Sequence, residues 1–224
     1  MFTNPTTPNA SDYISFLYGA VGIKPISLPT VKGTATGGST TTLTDTSQAW
    51  TVNQWGSPFS YDVLDTTTGQ LSGIASNTSN TLTLSTAFNT AVATGDTYIV
   101  MPDIVQTTLS VALDIVNPYL ACASSQIYVL AVYNLAADRL INYANDDQFV
   151  ANQSYFEDLR AKLKISSFTP GVVTSSSDES TSVGLLNPEA LKMLTLNDLQ
   201  TLKTSYGRTY MGYAQAYGTL WGLT

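Results

Sequence analysis

The sequence predicts an α+β protein: a small bundle of about four or five helices with an inserted all-β barrel or sandwich and an extended C-terminal tail. Three observations predict it. Apolar residues recur at helical spacing from Ile104 to Ala144, the longest such run in the chain. From Gly33 to about Val100 that period gives way to short alternating runs rich in Thr, Ser, Gly and Asn. After Thr195 helical signals return and lead into a stretch rich in Tyr and Gly.

These changes divide the chain into four segments. Residues 1–32 hold an arm and a first helix. The arm, Met1–Ser11, is rich in Thr, Asn and Pro and lacks a core of its own. Ser11 or Asp12 caps a short amphipathic helix, Tyr13–Ala20, that offers Ile14, Phe16, Leu17 and Val21 for burial and ends at Gly22. A helix this short needs a partner, so it is expected to pack on the later helices across the insertion. Pro25 and Pro29 hold an extended linker.

Residues 33–102 form the insertion, with hinges at Thr30–Lys32 and Pro102–Asp103. The runs TTLTD, FSYDVLD, GQLSGIAS, NTLTLST and DTYIVM read as five or six short strands. Turns fall at Gly37–Gly38, Thr68–Gly69, Ser79–Asn80 and Gly95–Asp96. Trp50, Trp55, Phe59 and Tyr61 are the large side chains of this region. They either fill its core or, if exposed, stack on sugars.

Residues 103–165 supply the core helices. Pro118 splits the long run into two helices joined near Asn117–Ser125, with Ser124 or Ser125 capping the second. On that second helix Val129, Val132, Tyr133, Ala136 and Leu140 make an apolar stripe, and Asn134, Asp138 and Asn142 make a polar one. A further helix starts near Gln153 or Ser154, with Tyr155, Phe156, Leu159 and Leu163 as its apolar stripe. Arg160, Lys162 and Lys164 crowd its C-terminal end, where the helix dipole favours cations.

Residues 166–224 begin as a long loop with a Pro–Gly turn and a Ser/Thr/acid tract. Thr195 and Asp198 then make a capping box for LNDLQTLKT, which Gly207 breaks. In helical register Tyr206, Tyr210, Tyr213 and Tyr217 share one side. With Arg208 and Trp221 they are the candidate interface, docked on a neighbouring subunit or packed on the chain's own helices.

Composition excludes several functions. Charged residues make up 11% of the chain, less than half the usual ~25%, and the formal net charge is −7. An acidic, base-poor surface argues against sequence-independent phosphate binding and suits a wall that nucleic acid passes without sticking. The chain has no His, which removes Ser–His and Cys–His nucleophiles and the usual zinc sites. Cys122 sits among small helical neighbours and reads as a buried structural thiol. The pairs Asp146–Asp147, Glu157–Asp158 and Asp178–Glu179 read as solvated acids, and GTATGG has neither P-loop nor dinucleotide spacing. No enzyme activity, cofactor or metal is expected. No basic segment precedes an apolar core at the N-terminus and no run is long enough to span a bilayer, so neither leader nor membrane partner is expected.

Four stretches together resemble a family of tailed-bacteriophage virion proteins: NPTTPNASDYISFLYGAVGI, IYVLAVYNLAADRLINYA, YFEDLRAKLKISSFTPGVVTSSSDESTS and LTLNDLQTLKTSYGRTYMGYAQAYGTLWGLT. The β-segment separately resembles small modules inserted in phage structural proteins. The resemblance implies a neck protein of the head-to-tail connector (adaptor) class, located in the virion at the portal vertex and assembled in the host cytoplasm. It implies a homo-oligomeric ring of roughly twelve subunits docked on the portal protein, with tail or nozzle proteins below and genomic DNA passing through. A capsid decoration or tail-completion protein is the rival within the class. A carbohydrate-binding attachment module is the rival outside it.

Overall fold

The computed structural model of the chain describes residues 7–149, 151, 153–165, 175–178, 181–184 and 195–217. Its first helix, α1 (Ala10–Phe16), begins three residues before the expected start at Tyr13. Asn9 is the cap: its side-chain oxygen accepts from the Asp12 amide at 2.9 Å, and its Nδ2 donates to the Asp12 carboxylate at 2.8 Å. The helix widens into a π turn, Leu17–Val21, and stops at Gly22, whose φ of 78° is open to glycine. Tyr13, Ile14 and Leu17 are buried.

Seven strands follow: β1 (Val31–Thr34), β2 (Gly37–Gly38), β3 (Thr42–Thr44), β4 (Tyr61–Asp65), β5 (Leu71–Asn77), β6 (Thr81–Leu84) and β7 (Thr97–Pro102). They form one antiparallel sheet in the order β1-β7-β4-β5-β6-β3-β2. The expectation of a closed barrel or a sandwich is corrected here, because the sheet is open. The two edges, β1 and β2, are consecutive in sequence with only Ala35 and Thr36 between them, so they come close together, but no ladder pairs them. Ala35 donates to Asp96 O beside one edge, and Thr36 donates to Thr44 O beside the other. A bulge between Ile74 and Ser76 turns the sheet at β5. Strand β7 is buried at every residue but Thr97, and β1 pairs with it from Val31↔Val100 to Thr34↔Thr97. The strands that enter and leave the inserted region are therefore neighbours.

From β7 the chain runs directly into α2 (Asp103–Ile115), then the single turn α3 (Leu120–Ala123) and the long α4 (Ser125–Tyr143). Ser124 caps α4, accepting from the Ile127 amide. Helix α4 lies between α2 on one side and, on the other, the last helix of the described chain. That second cover explains a misreading: Asn134 and Asp138, expected on a polar outer stripe, are 6% and 1% exposed. As expected, α1 returns to this layer, with the Tyr13 and Tyr133 rings 5.5 Å apart and the Tyr133 hydroxyl donating to Asn9 O.

Asp146, read as a solvated acid, is buried. Its two carboxylate oxygens accept from the Phe156 amide at 3.0 and 2.9 Å, capping α5 (Tyr155–Lys162) from ten residues away. Phe156 is buried, but Leu163 is 40% exposed and falls off the predicted stripe. Cys122 is exposed on α3, not buried. The long loop contains paired strands, β8 (Ser175–Asp178) and β9 (Thr181–Gly184).

The capping box is present. Thr195 Oγ1 accepts from the Asp198 amide, and the Asp198 carboxylate accepts from the Thr195 amide, at the start of α6 (Leu196–Thr201). Gly207 does not break a helix. It lies inside α7 (Ser205–Tyr217), so the expected extended tail is helical as far as the described residues reach. One hydrophobic core runs from Ala10 through the sheet to Ala214. The sheet is tied to the helices by Tyr61, whose hydroxyl donates to Phe149 O at 2.7 Å, and by the Ser60 amide, which donates to Gln148 O.

Candidate functional site

The predicted interface residues Tyr206, Arg208, Tyr210, Tyr213 and Tyr217 sit on α7. Helix α7 makes the most extensive helix–helix contact in the described chain, against α4. Tyr210 is buried there, while Tyr206 and Tyr213 pack half-buried against the same core. The Tyr206 hydroxyl reaches Val21 O at 3.3 Å. Arg208 is exposed and donates to Leu202 O, and Tyr217 is 52% exposed. Trp221 lies outside the described residues. The tyrosine stripe thus begins as intramolecular packing and becomes a free surface only at its C-terminal end.

What fixes α7 on α4 is a polar joint inside this contact. Thr204 Oγ1 donates to Asp138 Oδ1 at 2.6 Å and accepts from the Gly207 amide at 2.9 Å. Asn142 Nδ2 donates to the same Asp138 oxygen at 3.1 Å. Burial pushes the Asp138 carboxyl up to about 6, although Thr204, Arg139 and Asn142 all favour its charged form.

Beside this joint lies a cleft of about 270 Å³ between α4, α5 and α6. Asp138, Arg139, Tyr143, Arg160, Ile165 and Lys203 are among its walls. Arg160 was expected to face the C-terminus of its own helix. Its Nη1 instead donates to Ile141 O at 3.1 Å and Ala144 O at 2.7 Å, the end carbonyls of α4. Three of the nine cationic residues therefore meet in one place. The sequence signal for this was the scarcity of cations: with so few, Arg139 and Arg160 near the ends of successive helices were worth pairing.

Sequence reasoning also missed exposed apolar side chains on α2 and at the entry to α3. Val111 and Ile115, one turn apart, are 39% and 42% exposed, Leu113 is 36% exposed and Tyr119 is 70% exposed. The helical period was legible, but it does not say which of two apolar faces is covered.

The rings in the sheet are buried. Trp50 and Trp55 are 8% and 3% exposed; Trp50 meets Tyr98 edge-on and Trp55 meets Tyr61 edge-on. Neither indole presents a face on which a sugar could stack. Among the described residues no three His, Cys, Asp or Glu side chains come together as a metal site would require, and no helix is long and apolar enough to cross a membrane.

Two further carboxyls are perturbed, Asp62 on β4 and Asp103 at the start of α2. Burial, and then the charge of Asp103, push Asp62 up to about 6; burial raises Asp103 as well. Because the folded value lies above the unfolded ~3.9, the native state holds more protons between these values and stability falls as pH rises through them. Asp138 adds the same sign. The melting temperature should be higher at pH 5 than at pH 7.5, and Asp62→Asn should raise the pH 7.5 value and narrow the gap. Thermal melts at the two pH values check this; a gap left untouched by Asp62→Asn would remove Asp62 as a cause.

Compared with known proteins, the chain matches no family model, no curated protein and no solved structure.

Proposed function

We propose that the protein is a non-enzymatic structural component of a tailed-phage virion, a head-to-tail adaptor that forms a ring on the portal and links capsid to tail around the DNA channel. The observation that carries this reading is the exposed apolar side chains on α2 and just after it, Val111, Leu113, Ile115 and Tyr119. Aliphatic and aromatic side chains left in contact with water at this density suit a surface that another subunit completes. Two features support the same reading. The charged fraction of 11% leaves few ions to desolvate at subunit contacts, and the net charge of −7 keeps passing DNA from sticking. The partners under this reading are further copies of the chain, the portal above, and tail or nozzle proteins below.

Native mass spectrometry of the chain, alone and mixed with the portal protein of the same phage, tests the proposal. A ring that matches the portal's symmetry, alone or on docking, is the expected result. Imaging of labelled particles should place the chain at the single portal vertex; density spread over the capsid would make it a decoration protein instead. A chain that stays monomeric and ignores the portal would overturn the adaptor reading.

A further inference from the structure

We infer that the turn at residues 24–28 of one copy docks, through Ile26 and Lys24, on the α2 stripe Val111, Asp114 and Ile115 of a second copy of this chain. The inference rests on the ring assembly proposed above and names a contact that would build it.

The turn is clamped at both ends and bare at its tip. Ile23 and Leu28 are buried, and between them Lys24, Pro25 and Ile26 are exposed. The Ser27 and Leu28 amides donate to Lys24 O at 2.9 and 3.1 Å and close the turn, within which Pro25 fixes φ. The Tyr18 hydroxyl donates to Leu28 O at 2.6 Å, and the Tyr206 hydroxyl of α7 donates to Val21 O just ahead of it. At 71% exposure Ile26 is the most exposed large apolar side chain among the described residues. A lone exposed apolar residue is ordinary on a surface, but one held out on a fixed turn loses little freedom when it docks. Lys24 is the only charged residue between Asp12 and Lys32, and its ammonium has no hydrogen-bond or ion-pair partner among the described residues.

Helix α2 offers the complement. Val111, Asp114 and Ile115 are spaced to share one stripe, and all three are exposed. Asp114 is the only charged residue between Asp103 and Asp138, and its carboxylate likewise has no partner among the described residues. An apolar tip with one cation therefore matches an apolar stripe with one acid: Ile26 packs on Val111 and Ile115 while Lys24 meets Asp114. The contact is not made within one copy, where Ile26 and the stripe are both exposed. Tyr18, which holds the turn, is close enough to act electrostatically on Tyr61, and Tyr61 pairs with Pro102, the residue before α2. The turn thus sits towards the start of α2 and the stripe near its end, roughly 12–18 Å along the helix. Two different faces set apart on one body are what a heterologous, ring-closing contact needs, whereas a two-fold dimer needs one self-complementary face.

The test uses three changes on the full chain: Ile26→Asp, Lys24→Glu and Asp114→Lys. Assembly is read by native mass spectrometry, with portal protein present if the wild type needs it. Each variant alone should assemble at least about tenfold more weakly than wild type. Its thermal melt should stay close to the wild-type one, because these exposed side chains support little in their own copy. An equimolar mixture of Lys24→Glu and Asp114→Lys should recover assembly, since alternating copies then meet with opposite charges at every contact. The double variant carrying both reversals should recover it as well. Variants that assemble like wild type would overturn the contact while leaving the ring intact. Single variants that fail, with neither the mixture nor the double variant recovering, would also overturn it and would set the turn or the stripe against another protein. A wild type that forms no ring, alone or with the portal, would remove the ring reading and this inference together.

Discussion

Gly207→Ala is expected to release α7 from the helical layer. A Cβ at this position would meet the Thr201 carbonyl and Asp138 Oδ1, the latter at 2.8 Å. The first of these is backbone and cannot step aside. The second is held by Thr204 and Asn142, so moving it breaks the joint that positions α7 on α4. Forced overpacking costs about 1–3 kcal/mol when neighbours can adjust, and the upper end applies where both contacts are fixed. Tyr210, Met211 and Ala214, all buried by this contact, would lose their cover. The variant should show reduced tyrosine near-ultraviolet dichroism and early proteolysis after Lys203 or Arg208. Gly212→Ala is the control. It lies in the same helix with nothing within 4 Å of its added methyl, so it should stabilise α7 by about 0.5–1 kcal/mol. If both alanines behave alike, the close approach at Gly207 is not what holds the helix.

That contrast shows where sequence reasoning ran out. Gly207 and Gly212 look the same in a string, and glycine inside a helical pattern reads as a breaker. One is demanded by a tertiary contact and the other is not, which only the packing of α7 on α4 reveals. Local signals were legible where they are complete within a few residues: the Thr195–Asp198 box, the Ser124 cap, the stop at Gly22 and the split at Pro118. Signals that depend on distant partners were not. Asp146 was read as a surface acid because its helix begins at Tyr155, beyond the range of any capping pattern. The α+β class and the insertion of the strands between helices were legible from the change of period. The open sheet was not, because alternation sets strands and faces but leaves closure to pairing between residues far apart. The cleft had the weakest signal, since no spacing rule links Arg139, Arg160 and Lys203.

Asp45→Ala should be the most damaging change in the sheet, and the open topology is the reason. Asp45 follows β3, near one edge of the strand order, and Tyr98 lies on β7, next to the other edge. The Tyr98 hydroxyl donates to Asp45 Oδ2 at 2.7 Å, so this bond ties together two ends that no ladder joins. Gln48 donates to the same oxygen, and Ser47 donates to Oδ1 through its amide at 3.0 Å and its hydroxyl at 2.6 Å. The carboxylate is fully buried. Burial alone would push its pKa up, but the bonds from Ser47, Tyr98 and Gln48 outweigh burial and hold it below the usual range. Its stabilising share is therefore present at neutral pH and is lost as pH falls below the unfolded value of about 4. Alanine would take away the acceptor of the buried Tyr98 hydroxyl and free the Ser47 turn. A loss of about 3 kcal/mol, or roughly 6–12 °C in melting temperature, is expected. Tyr98→Phe alone should cost about 1 kcal/mol, because Asp45 keeps its other donors. Combined with Asp45→Ala, it should recover about 1 kcal/mol by removing the hydroxyl that lost this acceptor, a non-additivity that urea titration of the four proteins would measure. Without that recovery the damage would lie in the Ser47 turn alone, and the tie between the two edges would carry no share of the stability.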